Sequence, residues 1–324
     1  GFVCGAQLAD NAAFAISPAE AAAMDPCQRL LLERGYEALH DASQERTTLG
    51  GSLTGVFVGF SGSEFGALLA ASPAGSSVYA ATGSSVSIAA GRLSYALGLH
   101  GPCVAVDTAC SAALVACHGG VRALQLYECG ASLVAGVTLM LAPGVGVSFA
   151  VAGMTSARGR SHTFDMRADG YARGEACGAV VLGGGGVADA LLGLLGSAVR
   201  QDGRSASLTA PNGQAQQGLL AAAWGDAGVS AGELRLSETH GTGTALGDPI
   251  EAGSLVGAVL ASRDDAQLLK SLVIGGIKAN LGNGESTAGA TGLLKLAVAL
   301  RRGKATPNSQ LRSLNLHVGG ALRS

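Results

Sequence analysis

The chain has 324 residues, of which 48% are hydrophobic and 14% are charged, and its formal net charge is −2. This length fits one large domain or two fused smaller ones, and the low charge with 51 glycines argues against a disordered chain. A charge so close to zero leaves no electrostatic footprint for nucleic acid, so we expect no nucleic-acid partner.

Apolar periodicity and helix-start signals predict a regular alternation of elements in the first half. In chain order these are helices beginning at Ser17-Pro18 and at Asp25-Pro26 (27–42), a strand over 54–60, a loop with a short helix over 61–83, a helix over 84–97, a strand over 104–106, a helix over 112–125 and a strand over 132–137.

The second half repeats this rhythm, although no repeat is visible residue by residue. Its predicted strands cover 178–182, 194–199, 235–238 and 272–277, and its predicted helices cover 214–227, 249–260 and 289–300. Strands that alternate with helices indicate an α/β architecture with a largely parallel sheet.

Two further stretches suggest functions that we consider less well supported. Residues 130–157 carry no charge and could suggest a membrane span, but a Pro-Gly pair interrupts them, so we expect a strand, a loop and a short helix instead. Residues 183–188 fit the G-x-G-x-x-A pattern of a dinucleotide loop, yet no clean βαβ unit surrounds them, and a surface turn is favoured.

No targeting signal is visible, which predicts a cytoplasmic protein, or a plastid protein in a photosynthetic organism.

The seven cysteines predict free thiols. Their odd number and the absence of a CxxC spacing argue against a disulfide framework or a zinc ribbon, and favour a reducing compartment. Cys103, Cys110 and Cys117 recur at intervals of seven, but they are expected to span a strand, a turn and a helix, so we expect no shared metal ion.

The residues around Cys110 have the form expected around a nucleophile. An apolar strand ends at Asp107-Thr108, Cys110 follows among small residues, and a helix begins at Ala112. Unpaired backbone N–H groups and the helix dipole favour a thiolate over a thiol at such a place. A small buried apolar residue is the alternative interpretation of Cys110.

A cysteine nucleophile needs an acid or base partner, and His240 is the best placed of the six histidines. A predicted strand leads His240 into a Gly/Thr-rich loop, where Thr242 and Thr244 offer hydroxyls for hydrogen bonds to a substrate. The carboxyl end of a parallel strand is where a catalytic histidine is expected. Residues 276–289 have the same form of strand, Gly-rich loop and helix.

With these motifs the sequence resembles the β-ketoacyl synthase (ketosynthase) domain of modular type I polyketide synthases, a member of the thiolase-like superfamily. The resemblance covers essentially the whole chain. It rests on residues 107–111 (DTACS), 238–249 (ETHGTGTALGDP) and 278–282 (KANLG), with further matches at 24–33, 163–175 and 208–213.

The resemblance implies a thiolase-like α/β fold, with two similar βαβαβ halves in an αβαβα five-layer arrangement. The N-terminal half, 1–165, would carry Cys110, and the C-terminal half, 166–324, would carry His240, Lys278 and Asn283, in one ketosynthase domain. It also implies a homodimer that binds no cofactor of its own. Its partners would be an acyl carrier protein, which delivers acyl groups on phosphopantetheine, and the acyltransferase and other polyketide synthase domains of the same or a partner chain.

The activity that the resemblance implies is a decarboxylative Claisen condensation by an acyltransferase of the β-ketoacyl synthase type, in polyketide or fatty acid biosynthesis. Cys110 would hold the acyl chain as a thioester, and the malonyl-type extender would lose carbon dioxide and attack it. His240 would hydrogen-bond the extender's thioester oxygen, and Lys278 would position the second histidine of the family.

That second histidine is absent, because the family pattern Lys-x-Asn-x-Gly-His ends here in Asn283. Asn can donate or accept a hydrogen bond but cannot exchange a proton near neutral pH. Related enzymes with a Cys-His-Asn set still decarboxylate malonyl groups, which favours a working condensing enzyme. The alternatives are a non-elongating ketosynthase that only accepts and transfers acyl chains, or a catalytically silent structural copy.

Other classes fit less well. A thiolase proper would carry a second cysteine near its C-terminus, and no cysteine follows Cys177. A dehydrogenase would depend on residues 183–188 alone.

The family's opening strand and its closing Gly-Phe-Gly-Gly-Thr-Asn-Ala-His stretch have no counterpart in this sequence. We therefore expect a fold truncated at both ends, from a fragment or a shortened copy. Such a fold would have exposed sheet edges and poor solubility.

Overall fold

The structure, a computed structural model, describes residues 1–184, 190–260 and 272–322. The chain forms two compact units whose segments interleave along the sequence. Unit 1 comprises Gly1–Ser148, Gly174–Asp189 and Gly284–Thr291, and unit 2 comprises Phe149–Arg173, Ala190–Asn283 and Gly292–Ser324.

Unit 1 is built on a four-stranded sheet with the strand order β2-β1-β3-β4. The strands are β1 (Thr54–Gly59), β2 (Cys103–Val106), β3 (Ala131–Thr138) and β4 (Ala176–Gly183). β1 pairs in parallel with both β2 and β3, whereas β4 pairs antiparallel to β3. The predicted, largely parallel sheet is therefore confirmed, with β4 as an antiparallel strand at one edge.

The helices in the first part of the chain are α1 (Pro18–Ala23), α2 (Pro26–Asp41), α3 (Arg46–Leu49), α4 (Phe65–Ala70), α5 (Ala80–Gly83), α6 (Val86–Leu97), α7 (Ala112–Gln125) and α8 (Pro143–Val151). The predicted start signals operate as expected. Ser17 Oγ accepts a hydrogen bond from the N–H of Glu20 at 3.2 Å, and Asp25 Oδ1 accepts one from Cys27 at 2.7 Å.

Alternate residues of β1 face two different helix layers, which is why the whole strand is buried. Val56 and Val58 belong to the core that includes α2 and α6, while the Phe57 ring lies against α7. The helix α7 packs so closely that a Cβ on Gly59 would lie 2.4 Å from the backbone nitrogen of Ala113. Glycine at this position thus lets the helix that follows Cys110 rest on the sheet.

Unit 2 contains a two-stranded parallel sheet of β5 (Leu236–Glu238) and β6 (Val273–Gly275). The remaining helices are α9 (Gly213–Ala227), α10 (Gly247–Leu255), which continues as a π-helical turn over Val256–Leu260, α11 (Lys278–Leu281), α12 (Ala288–Arg302) and α13 (Leu316–Ala321). One small core is centred on Ala231, Leu255 and Val259, and the half-buried Trp224 packs against it.

The predicted strand over 194–199 is wrong, because the structure forms no strand at these residues. Ser197 instead donates its N–H to Asp226 Oδ2 at 2.9 Å, and Gly196 lies against the backbone of Ala227 at the end of α9. The apolar run suggested a buried strand, yet Leu195 is 68% exposed. Most of the candidate dinucleotide loop, from residue 185 onward, lies outside the described residues.

Candidate active site

Cys110 lies in a 3₁₀ turn (Ala109–Ser111) between the end of β2 and the start of α7, as the sequence predicted. Asp107 shapes this turn, because its Oδ1 accepts a hydrogen bond from the N–H of Ala109 at 3.0 Å. Ser111 Oγ donates to the carbonyl oxygen of Thr108 at 2.8 Å. The turn is therefore held by its own side chains, and Cys110 is partly accessible.

The backbone just before Cys110 is strained. Ala109 has a φ of 52°, in the left-handed region that costs a residue with a Cβ about 1–2 kcal/mol. Strain of this kind is concentrated at functional turns, where a defined side-chain direction outweighs its cost. The turn presents Cys110 next to the N-terminus of α7, a helix of 14 residues. Backbone N–H groups without a partner inside the helix are a feature of every such helix end.

In unit 2 the structure brings His240 and Lys278 into contact. His240 follows β5 by two residues, and Lys278 opens α11 just beyond β6, so the parallel pairing of the two strands puts both residues at one end of the sheet. The Nζ of Lys278 donates to the carbonyl oxygen of His240 at 2.5 Å and lies 3.3 Å from its Nδ1. Lys278 is buried, with 4% of its surface exposed.

This contact assigns the histidine tautomer. A lysine ammonium carries only donors, so the Nδ1 that faces it acts as the acceptor and the ring proton resides on Nε2. Desolvation, followed by the positive charge of Lys278, lowers the pKa of His240 to about 3, although the residue as a whole is exposed. His240 is therefore a neutral imidazole at physiological pH, with an Nε2–H available to donate a hydrogen bond.

Two carboxylates hold the loop that begins at His240. Glu251 on α10 accepts the N–H of His240 at 2.5 Å through Oε1 and the N–H of Gly241 at 2.8 Å through Oε2. Asp248 accepts the N–H of Gly243 at 3.0 Å and that of Phe164 at 2.7 Å. Burial raises the pKa of both carboxyl groups. No role was assigned to either acid from the sequence.

The hydroxyls of Thr242 and Thr244 lie 3.2 Å apart, and Thr244 Oγ1 also accepts the N–H of Gly247 at 3.1 Å. Gly243 has a φ of 77°, and a Cβ on it would lie 2.7 Å from the backbone nitrogen of His162. The Gly-rich spacing that suggested a binding loop thus serves tight packing of the loop. Substrate contact by the two threonines stays a prediction.

Asn283 is fully buried at the end of the segment that starts with Lys278. Its backbone N–H donates to the carbonyl oxygen of Ala172 at 2.7 Å, and it forms a parallel bridge with Arg173. Gly282, with a φ of 89°, makes the turn before it. The main chain therefore anchors the position of Asn283 in unit 2.

A further acid that sequence reasoning passed over is Asp165. It is fully buried, and its carboxylate accepts hydrogen bonds from Arg167 Nε at 2.7 Å and from the N–H of Arg312 at 2.6 Å. The bond from Arg167 is the largest cause of the lowered pKa of Asp165. This carboxylate ties the loop that contains Ala172 and Arg173 to the segment near residue 312. The match of residues 163–175 to the family pattern was the signal in the sequence for this acid.

The predicted site residues are thus distributed over both units. Cys110 belongs to unit 1, while His240, Lys278, Asn283, Thr242 and Thr244 belong to unit 2. Within the described residues, no group of three or more His, Cys, Asp or Glu side chains is arranged to hold a metal ion. Across the same part of the chain, no helix has the length and apolar character needed to cross a membrane.

Comparisons with known proteins identify the class. Family models described as "Beta-ketoacyl synthase, N-terminal domain" and "Beta-ketoacyl synthase, C-terminal domain" match residues 1–185 and 192–312. The chain therefore belongs to the β-ketoacyl synthase family, whose members are condensing enzymes of the acyltransferase type.

Curated relatives narrow this class to the ketosynthases of polyketide synthases. One component of the phenolphthiocerol/phthiocerol polyketide synthase of Mycobacterium tuberculosis is 45% identical over 314 residues, which are 94% of this chain and 16% of that protein. Erythronolide synthase EryA3 of Saccharopolyspora erythraea is 43% identical over 309 residues, which are 94% of this chain and 10% of that protein. The chain thus spans less than a fifth of the length of these two relatives.

Solved structures confirm the predicted fold class, a thiolase-like α/β fold. The ketosynthase from module 6 of the bacillaene synthase of Bacillus subtilis 168 matches with a TM-score of 0.88 and 33% identity, over 97% of this chain and 55% of the other. The oxazolomycin ketosynthase domain OzmH KS7 of Streptomyces albus JA3453 matches with a TM-score of 0.90 and 32% identity, over 98% of this chain and 55% of the other.

Proposed function

We propose that this ketosynthase catalyses decarboxylative condensation of an acyl thioester held on Cys110 with a malonyl-type extender on a carrier protein. The observation that carries the proposal is the contact of Lys278 with Nδ1 of His240, because it leaves the ring proton on Nε2 as a hydrogen-bond donor. A neutral donor of this kind suits an oxygen on which negative charge develops.

The reaction has two stages. The Cys110 thiolate attacks the incoming acyl thioester, the carrier thiol leaves, and the acyl group remains on Cys110. The extender then loses carbon dioxide, and its enolate carbon attacks the acyl-Cys110 carbonyl and releases the thiolate. In the second stage, His240 donates from Nε2 to the extender's thioester oxygen, on which the enolate charge accumulates.

Asn283 occupies the position of the family's second histidine and supplies a second neutral donor. Removal of one hydrogen-bond donor from such a site typically lowers the rate by about 10²–10³. Because the Asn283 amide is still a donor, the substitution favours a retained condensation activity. A non-elongating ketosynthase that only transfers acyl chains is the second candidate, and the substitution at position 283 is the observation in its favour.

We also propose the partners and the organisation. An acyl carrier protein presents both substrates on phosphopantetheine, neighbouring polyketide synthase domains supply it, and the chain itself acts as one ketosynthase domain with halves at 1–165 and 166–324. A second copy pairs along β2, which is one of the two edge strands of its sheet and leaves Val104 42% exposed. Light scattering with the Val104→Lys variant tests this dimer, and an unchanged mass would argue against it.

The experiment for the activity uses purified protein, an acyl thioester and a malonyl-carrier protein. Mass spectrometry follows acylation of Cys110, and release of labelled carbon dioxide follows the second stage, with Cys110→Ala as the control for acylation. We expect both signals in the wild type. Acylation without carbon dioxide release supports the non-elongating candidate, and no acylation at all overturns the proposed function.

A further inference from the structure

Glu238 lies two residues before His240 in the chain, and the proposed reaction does not use its side chain. Glu238 is the last residue of β5 and pairs with Gly275, the last residue of β6. Only 4% of its side chain is exposed. The chain runs from the end of β5 to His240 and from the end of β6 to Lys278. Glu238 therefore lies at the point that sets the distance between His240 and Lys278.

The two carboxylate oxygens of Glu238 bind different parts of unit 2. Oε1 accepts the N–H of Ile277, the residue directly before Lys278, at 2.5 Å. Oε2 forms an ion pair with the ammonium of Lys295 on α12 at 2.6 Å, and the Lys295 side chain is 12% exposed. One carboxylate therefore connects the strand before His240, the peptide before Lys278 and a long helix.

Two glycines make room for this ion pair. A Cβ on Gly275 would lie 2.7 Å from Glu238 Oε2 and 2.8 Å from Lys295 Nζ, and a Cβ on Gly292 would lie 3.3 Å from Glu238 Cγ. The pair also borders a small void with apolar walls that include Leu236 and Val273. Small residues thus leave space at this place for two charged side chains in apolar surroundings.

Stability alone does not account for such a pair. Desolvation of two charges offsets most of their attraction, and apolar residues of similar volume often stabilise a protein equally well. An ion pair with defined geometry does fix distances and directions, as charge-assisted hydrogen bonds are short and directional. Displacement of a catalytic group by about 1 Å can cost about 100-fold in rate.

We propose that Glu238 and Lys295 are positioning residues, which hold β5 and β6 in the register that brings Lys278 to Nδ1 and the carbonyl oxygen of His240. The effect of Glu238 and Lys295 on catalysis rests on the proposed function. The contact that it explains is observed in the structure independently of any activity.

The test compares Lys295→Met with Arg92→Met in the full chain. Arg92 pairs with Glu20 at 2.5 Å in unit 1 and is 8% exposed, so its loss disturbs a comparably buried ion pair away from His240. The readout is the titration of His240 followed by NMR. We expect Lys295→Met to move the His240 titration toward higher pH, since Lys278 is no longer held against the ring, while Arg92→Met leaves it in place.

A second variant covers the case in which an unpaired Glu238 unfolds unit 2. The double substitution Glu238→Gln with Lys295→Gln leaves no charge of this pair buried without its partner. It should fold and shift the His240 titration in the same direction. A folded variant of either kind with the wild-type His240 titration overturns the proposal.

Activity provides the second readout. In Lys295→Met we expect carbon dioxide release to slow by about 10-fold or more while acylation of Cys110 proceeds at the wild-type rate. If the wild type releases no carbon dioxide, the proposed condensation fails, yet the His240 titration still decides whether Glu238 and Lys295 position the site. Failure of the proposed condensation and failure of the positioning role can therefore be told apart.

Discussion

The ammonium of Lys278 contacts His240 at two atoms, the carbonyl oxygen at 2.5 Å and the ring Nδ1 at 3.3 Å. One side chain thus fixes the backbone and the ring of the same residue. The contact determines which ring nitrogen carries the proton, and its charge opposes a second proton on the ring. The chemistry proposed for His240 depends on this contact.

Replacement of Lys278 by Met should raise the pKa of His240 from about 3, although not to its ordinary value, because desolvation is the larger cause of the shift and persists. Between about pH 3 and 6.5, His240 binds more protons in the unfolded state of the wild type than in the folded state. The contribution of His240 to the free energy of unfolding is therefore complete above pH 6.5 and is lost as the pH falls through this range. The variant should lose less stability over this range.

Denaturant unfolding at several pH values, together with NMR titration of His240, measures both effects. Lys304→Met, a change to an exposed lysine of the same unit, is the control. An unaltered His240 titration in Lys278→Met would contradict the assignment of the tautomer to this contact.

Asp107→Ala should slow acylation of Cys110 by about 10-fold with little loss of global stability. The reason is that Asp107 Oδ1 accepts the N–H of Ala109 and holds the strained turn before the cysteine. Asp107→Asn keeps a side-chain oxygen and should retain most of the rate. Mass spectrometry of the acyl-enzyme over time measures all three proteins, and equal rates for Ala and Asn would show that the hydrogen bond is irrelevant.

Asn283→Ala should reduce carbon dioxide release by about 10²–10³ and leave acylation of Cys110 intact, because it removes one neutral donor from the second stage only. Asn283→Gln keeps the amide but lengthens a fully buried side chain, so it should show an intermediate rate. If Asn283→Ala decarboxylates as fast as the wild type, Asn283 has no part in the reaction.

Gly243→Ala should lower the free energy of unfolding by about 1–3 kcal/mol. The φ of 77° disfavours a residue with a Cβ, and the added carbon would lie 2.7 Å from the backbone of His162. Gly218→Ala in α9, where an added Cβ meets no atom within 4 Å, is the matched control and should stabilise by about 0.5–1 kcal/mol. Urea denaturation compares the two, and equal effects would show that the loop tolerates a side chain at 243.

Local signals in the sequence predicted most of the elements. The helix after Cys110 was predicted over the range in which it is found, since its apolar face and its small first residues are visible in the chain. The strand predicted over 194–199 was wrong because an apolar run alone does not reveal whether a partner strand exists. The antiparallel pairing of β4 likewise depends on long-range topology.

The site was predictable in part for the same physical reason. Motif spacing indicated Cys110, His240 and Lys278, whereas the contact geometry of Glu251 and Asp248 depends on how α10 folds back on the loop. The left-handed conformation of Ala109 leaves no mark in composition, because alanine rarely adopts it. Motifs thus indicated the candidate reacting groups, and the structure was needed to identify the residues that contact them.

The backbone anchoring of Asn283 has an evolutionary consequence. Because its N–H bond to Ala172 and its bridge to Arg173 involve main-chain atoms, the residue type at 283 can change without loss of the anchor. Asparagine and histidine codons differ by a single base. One point mutation therefore exchanges the two residues while the main-chain anchor of position 283 is kept.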